Sequence, residues 1–310
     1  MRCALDSPTR RPVPAALLGL ALLLAGCAST NPPPPATWLA TLPAGWAGAP
    51  PATGAAADRQ ALLAWWQQFD DPLLTTLVTQ ALDANTSVRS AQAALRQARA
   101  LQDVAAAGLG LRLTAGADAQ RSRASNSTGN RFGASLDASW EADLFGGQRS
   151  ALDASTATAE ASAASLVATQ VSLAAEVALA YIGLRSAQAR LAIAQANLAS
   201  QQDTLQITRW RLQAGLVDGL AAEQAQAAAA QTAAGLPPLQ TAVAQARHAL
   251  AVLTGQPPAA LDATLAATAP VPQPHATLAL AGPADTLRQR PDVRAAERRL
   301  AAAWATLAQA

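Results

Sequence analysis

The chain has 310 residues, of which 51% are hydrophobic but only 4% aromatic, because alanine makes up most of the apolar fraction. Alanine favours helix and lets helices approach closely, yet it buries little area, so the composition suits long thin helices better than a thick core. A net charge of +2 excludes a strong field for nucleic acid. The two cysteines and two histidines have no disulfide or zinc spacing.

Motifs that would indicate an enzyme are missing from the sequence. It contains no phosphate loop of the form G-x-x-x-x-G-K-[ST] and no nucleophile, histidine and carboxylate in a suggestive arrangement. Only 14% of the residues are charged, which leaves few carboxylates for acid–base chemistry. We therefore expect neither catalysis nor a cofactor, a metal or a nucleic-acid partner.

The N-terminus has the features of an export signal. Arginines precede an apolar run over residues 13–26, which is shorter than the roughly 20 residues that span a bilayer and fits a secretory signal peptide. The run ends in Leu-Ala-Gly-Cys27, which resembles the bacterial lipobox and predicts a signal peptide over 1–26 and acylation of Cys27. An ordinary signal peptide is the alternative. Ala28 favours sorting to the outer membrane, and a linker rich in Pro, Gly and Ala follows over 27–71.

Two long helices are predicted next. Asp71 before Pro72 is an N-cap followed by proline at the first helical position, and it predicts a helix over 72–108. A second helix, over 148–213, is roughly 100 Å long at 1.5 Å per residue. Its seven-residue repeat indicates supercoiling against neighbours and consists of Val177, Leu184, Leu191, Leu198, Leu205 and Leu212. A plain coiled-coil stalk would have the same periodicity.

Between these helices, residues 111–141 alternate between apolar and polar side chains. This period of two predicts a hairpin with one face of each kind, and the strand length suits a tilted crossing of a bilayer. Phe132 and Trp140 are candidate aromatics for the two membrane interfaces. A soluble hairpin packed on the helices is the alternative. If the hairpin does enter lipid, its sheet must close, and so few strands require oligomerisation.

The end of the long helix predicts a helical turn that could dock a partner. The turn consists of Gly215, Leu216, Val217, Asp218, Gly219 and Leu220. Its first glycine is a C-cap candidate and its aspartate an N-cap candidate. The leucines and valine would be exposed at the tip, although a simple turn with incidental apolar residues has the same sequence.

A returning helix is predicted over 220–254, with a kink or interruption at Pro237 and Pro238. A linker or equatorial segment follows over 255–283. Residues 284–310 then begin a second copy of the first helix, because Ser87-Val88-Arg89-Ser90-Ala91-Gln92 reappears 205 residues later as Asp292-Val293-Arg294-Ala295-Ala296-Glu297. We expect the chain to be C-terminally truncated, without the second hairpin and helix pair.

These stretches together resemble the outer-membrane factor family of TolC-like proteins, in its OprM/NodT-like lipoprotein branch. The resemblance covers nearly the whole chain in family order. It rests on Leu-Leu-Ala-Gly-Cys at 23–27, Trp-Trp-Gln-Gln-Phe-Asp-Asp-Pro-Leu at 65–73, Trp-Glu-Ala-Asp-Leu-Phe-Gly at 140–146, Ala-Glu-Val-Ala at 175–178 with Tyr181 and Leu184-Arg185, Arg-Leu-Gln-Ala-Gly-Leu at 211–216, Ala-Leu-Ala-Val-Leu-Thr-Gly at 249–255 and Arg-Pro-Asp-Val-Arg-Ala-Ala-Glu at 290–297.

The resemblance implies a mainly α fold with a membrane β-hairpin, in which each protomer adds long helices to an α-helical barrel and strands to a shared trimeric β-barrel. It implies a passive homotrimeric channel for efflux across the periplasm and outer membrane, in contact with outer-membrane lipid. The tip at 215–220 would contact a periplasmic adaptor protein joined to an inner-membrane pump. A structural coiled-coil outer-membrane lipoprotein without transport is the alternative. The sequence identifies neither the exported substrate nor the type of pump.

Overall fold

The computed structural model describes Pro43 and residues 64–124, 127–274 and 283–309. The predicted signal peptide, Cys27 and most of the first linker lie outside the described residues. A short 3-10 turn at Trp65–Phe69 precedes the elements of the described part, which in chain order are α1 Pro72–Ala84, α2 Thr86–Gly108, β1 Arg112–Ala124, β2 Ser127–Ser139, α3 Gly147–Gln213, α4 Gly219–Ala234, α5 Leu236–Leu253, α6 Pro283–Gln289 and α7 Pro291–Gln309.

The helix predicted over 72–108 is two helices, so that prediction was wrong at Asn85. Asn85 has extended backbone dihedrals, with φ −68° and ψ 133°, which no α-helix accommodates. Its side chain accepts a hydrogen bond from the Ser87 N–H at 2.8 Å and donates one to the Leu253 carbonyl at 3.2 Å. The N-cap bond and the contact with α5 together stabilise the break. Asp71 is the N-cap of α1, and its carboxylate accepts from the N–H groups of Leu73 and Leu74.

α3 is a single helix of 67 residues and forms the axis of the molecule. All the other described helices except α6 pack against it, with α2 and α7 along its first half and α4 and α5 along its second. Val177 and Leu184 of the seven-residue repeat are fully buried, whereas Leu191, Leu198 and Leu205 are half-buried towards the tip. The burial decreases because fewer helices surround α3 there. Length and composition would let α3 cross a bilayer, but an alanine-rich bundle helix passes the same test.

The returning helix is divided into α4 and α5 at Gly235, two residues before the Pro-Pro pair. Pro237 and Pro238 lie in the first turn of α5, where a backbone N–H has no partner within the helix and proline therefore costs little. The interruption that the prolines predicted is present, and it lies two residues before the first proline.

The apolar core lies near the middle of α3. There α1, α3 and α5 meet, and Leu261 and Leu265 from the segment after α5 complete the cluster. The largest fully buried side chains are Leu74, Leu77, Val78, Val88, Val177, Tyr181, Leu184, Leu250, Thr254 and Leu265. The linker predicted at 255–283 therefore contributes core residues as well as a connection.

The internal repeat is visible in the structure. α1 ends at Ala84 and α6 at Gln289, while α2 begins at Thr86 and α7 at Pro291, and both pairs of positions are 205 residues apart. α2 and α7 both lie on the first half of α3. An ion pair of 3.0 Å between Arg298 and Glu160 joins α7 to α3.

Candidate functional site

The hairpin lies at the N-terminal end of α3 and has two chemically different faces. Its strands pair antiparallel from Arg112 opposite Ser139 to Ala124 opposite Ser127. Successive side chains on a strand point to opposite faces, so the register assigns each side chain to one of them. One face carries Leu113, Ala115, Ala117, Ala119, Phe132, Ala134, Leu136 and Ala138. The other carries Arg112, Thr114, Gly116, Asp118, Gln120, Arg131, Gly133, Ser135, Asp137 and Ser139.

The apolar face is exposed throughout. Phe132 is 78% exposed and Leu136 is 75% exposed, and Leu113 on the paired strand is similarly open. The described residues form a sheet of two strands, and neither strand has a partner on its outer edge. Exposed apolar surface of this kind marks contact with a membrane or with another protein. It excludes the alternative in which the described helices cover the hairpin.

The base of the hairpin is fixed to the helices by side-chain hydrogen bonds. The indole N–H of Trp140 donates to the carbonyl of Leu109 at 3.3 Å, which joins the end of β2 to the end of α2. Asp143 accepts from the backbone N–H groups of Gln148 at 3.2 Å and Arg149 at 2.9 Å in the first turn of α3. Of the two predicted interface aromatics, Phe132 lies on the apolar face, and Trp140, eight residues later, follows the end of β2 and is exposed.

The tip lies at the opposite end of α3, about 100 Å away at 1.5 Å per residue. Gly215 has φ +70°, and the Leu216 N–H donates to the Arg211 carbonyl while the Gly215 N–H donates to the Leu212 carbonyl. These bonds form a Schellman C-cap. Asp218 then caps α4 by accepting from the Ala221 N–H at 3.0 Å.

Capping leaves the apolar side chains of the tip in solvent. Leu216 is 73% exposed, Leu220 is exposed to a similar degree and Val217 is half-buried. Gly219, the fifth predicted tip residue, is the first residue of α4. A hydrogen bond of 2.9 Å from Arg209 to Gln226 joins the two helices behind the turn. The predicted tip residues are therefore together at one end of the molecule, far from Phe132 and Trp140.

Sequence reasoning missed a buried polar network beside the core. The Tyr181 hydroxyl donates to Asp71 at 2.8 Å and lies 3.1 Å from a guanidinium nitrogen of Arg185. The buried Arg185 also donates to the Ala267 carbonyl, and Gln188 donates to the Leu265 carbonyl. The network fastens the segment after α5 to α3. The sequence signals were the spacing of Tyr181, Arg185 and Gln188 on one face of α3, at intervals of four and three residues, and the place of the first two among the residues that carry the family resemblance.

This network perturbs the phenol of Tyr181. Burial raises its pKa above the usual value, because the phenolate would lose its hydration. The hydrogen bond from Arg185 opposes this shift, and the neighbouring Asp71 carboxylate adds to it, so the net direction is upward. Tyr181 is therefore a neutral hydrogen-bonding group.

Solved structures share this architecture. The structure of the outer-membrane channel OprN matches with a TM-score of 0.73 and 40% identity over 83% of this chain and 59% of that one. The outer membrane protein VceC of Vibrio cholerae matches with a TM-score of 0.68 and 28% identity over 79% of this chain and 60% of that one. The fold is thus that of a TolC-like protomer, which confirms the predicted fold class.

Sequence comparison gives the family. The model of the outer membrane efflux protein family matches residues 77–256. A pyoverdine export outer membrane protein, OpmQ of Pseudomonas putida, is 33% identical over 94% of this chain and 63% of its own length. The toluene efflux pump outer membrane protein TtgF of Pseudomonas putida is 34% identical over the same shares. The chain belongs to the outer membrane efflux protein family, and it spans about three fifths of the length of these relatives.

Proposed function

We propose that the protein is the outer-membrane component of a tripartite efflux system, a passive trimeric conduit across the periplasm and outer membrane. The observation that carries the proposal is the position of two exposed apolar surfaces at opposite ends of one 67-residue helix. One surface is the apolar face of the hairpin, and the other is the helical tip. A separation of about 100 Å exceeds what a compact domain of this size needs and suits a periplasm-crossing protein.

The hairpin supports the oligomeric part of the proposal. In lipid every backbone N–H and C=O needs a partner, so the unpaired edges of β1 and β2 have to be covered by further strands. Copies of the chain arranged about one axis would supply them as a closed barrel, with the apolar face towards lipid and the charged face towards the lumen.

α3 offers a second surface for such neighbours. Leu179, Ile193 and Ile207 are exposed and are spaced by 14 residues, which is two heptads, so they form a stripe apart from the buried Val177 and Leu184. No element in the described part of the chain covers this stripe. A helix with apolar stripes on two sides is the unit required for a barrel of helices, in which each helix contacts two neighbours.

Partners and anchoring complete the proposal. The tip at 215–220 would contact a periplasmic adaptor protein, and a pump in the inner membrane would supply the energy. Cys27 would carry the lipid anchor. The names of OpmQ and TtgF refer to pyoverdine export and toluene efflux, and a small organic molecule is the class of substrate we propose.

The test is the mass and conductance of the protein produced from its complete gene in a Gram-negative host. Sedimentation equilibrium of detergent-solubilised protein is expected to give three times the mass of one chain, and the same sample should produce stepwise conductance in planar bilayers. The variant Leu136→Arg places a charge on the lipid face at a cost of about 2–4 kcal/mol. Both the trimeric mass and the conductance should therefore be lost. Monomeric protein without conductance would instead indicate a structural lipoprotein.

A further inference from the structure

We propose that Leu144 and Phe145 are a membrane anchor, inserted at the boundary between acyl chains and headgroups in the periplasm-facing leaflet of the outer membrane. They lie between β2 and α3 and are 81% and 92% exposed, the latter the largest exposed fraction among the described large hydrophobic residues. The inference rests on the proposed function, because it requires the hairpin above these residues to lie in the membrane.

The geometry of this loop is held by specific bonds. Asp143, immediately before the pair, is fixed by the backbone N–H groups of Gln148 and Arg149. Gly146, immediately after it, has φ +79°, a left-handed conformation that reverses the chain into α3. Both exposed side chains therefore project from a short rigid turn, and their exposure is a property of the fold. A turn held in this way loses less conformational entropy on insertion than a flexible loop would.

The height of the apolar face also places the inner boundary of the membrane near Leu144 and Phe145. Above Phe132 the face becomes polar at Arg121 and Asn130, which sets the outer limit of the apolar band. From Phe132 to Trp140 the strand covers eight residues, about 27 Å at 3.4 Å each. A strand tilt of about 40° reduces this to roughly 21 Å, whereas the apolar band of outer-membrane barrels is about 25 Å tall. The inner boundary therefore falls past Trp140, where Leu144 and Phe145 lie.

The polar groups around the pair suit a lipid surface. The indole N–H of Trp140 is satisfied by the Leu109 carbonyl, so the exposed ring has no unpaired donor to hydrate and can enter the interface. Arg149, four residues after Phe145, lies 4.0 Å from the Asp143 carboxylate, and its side chain is 76% exposed, which leaves most of the guanidinium accessible to a lipid phosphate. Leu144 and Phe145 continue the apolar face of the hairpin and lie near the guanidinium of Arg149. Both features favour lipid over a second copy of the chain as the occupant of this site.

The test uses nitroxide labels on the full protein in outer membranes, and the same protein without an introduced cysteine sets the labelling baseline, because Cys3 lies in the predicted signal peptide and Cys27 is expected to be acylated. Phe145→Cys is the test position. Leu136→Cys reports the centre of the apolar face. Asp153→Cys is the matched control, because it is exposed on α3 about 9 Å beyond the start of that helix. Each label is scored by its accessibility to oxygen, which concentrates in lipid, relative to a water-soluble nickel chelate.

We expect the oxygen-to-nickel ratio at Phe145→Cys to be several-fold above that at Asp153→Cys and below that at Leu136→Cys. Equal ratios at positions 145 and 153 would overturn the anchor. A label at 145 that is shielded from both reagents would also overturn it, because a protein neighbour would then occupy the site. A water-exposed label at Leu136→Cys would contradict the proposed function itself, so the two failures are distinguishable.

Discussion

The Tyr181 hydroxyl donates a 2.8 Å hydrogen bond to Asp71, a residue 110 positions earlier that also caps α1. One oxygen of the Asp71 carboxylate therefore caps α1, and the other accepts the hydrogen bond from Tyr181 in the buried middle of α3. Arg185 donates to the same hydroxyl and to the segment after α5. Three parts of the chain that are distant in sequence are joined at this point, beside the apolar core.

Tyr181→Phe is expected to lower the free energy of unfolding by about 1–3 kcal/mol, because Asp71 and Arg185 would each lose a buried partner. Urea denaturation measures this. Thr204→Val, which removes an exposed hydroxyl from the same helix, should change stability by less than about 0.5 kcal/mol. Equal effects of the two substitutions would show that the network adds nothing to stability.

The phenolate absorbance of this chain in an alkaline titration should report Tyr181 alone, because the chain has one tyrosine. The folded-state pKa of Tyr181 is raised by burial above its unfolded value of about 10. Its contribution to stability is therefore fully present below about pH 10 and is lost as the pH rises through the folded-state pKa. Phenolate absorbance should develop at higher pH in the folded than in the urea-unfolded protein. Coincident titration curves would contradict the burial of this phenol.

Arg185→Met is expected to release the segment that contains Leu265 and Ala267 from α3, since the buried guanidinium donates to the Ala267 carbonyl. Hydrogen bonds from charged donors contribute about 1.5–3 kcal/mol, so a loss of that size is expected in urea denaturation. Hydrogen exchange should also accelerate first in residues 261–267. Arg190→Met, on an exposed position of the same helix, is the control and should leave both measurements unchanged.

Two glycines of the long helical hairpin should respond in opposite directions to alanine. Neither Gly183 nor Gly215 has an atom within 4 Å of an added Cβ, but only Gly215 has a positive φ. Gly215→Ala should cost about 1 kcal/mol through left-handed strain at the C-cap. Gly183→Ala, in the interior of α3, should stabilise the protein by about 0.5–1 kcal/mol. Thermal unfolding of both variants measures the difference, and shifts of the same sign would contradict the capping geometry.

Local sequence patterns were sufficient for the parts of the fold that depend on local periodicity. The seven-residue repeat of α3, the alternation of the hairpin and the Gly215–Asp218 capping pair each express a geometry that neighbouring residues determine. The break at Asn85 was missed because asparagine inside a helix costs only about 0.7 kcal/mol, and its contact with Leu253 is far away in sequence. The Asp71–Tyr181 bond was missed for the same reason, since no local pattern predicts a partner 110 residues away.

The most direct test of the central claim is a nitroxide scan along β2 in outer membranes, from Phe132 to Ser139. If the hairpin lies in the wall of a barrel, the oxygen-to-nickel accessibility ratio should alternate with a period of two residues. It should be high at Leu136→Cys, which faces lipid, and low at Asp137→Cys, which faces the lumen. Uniform access of the water-soluble nickel chelate at all eight positions would place the hairpin in water and contradict the account.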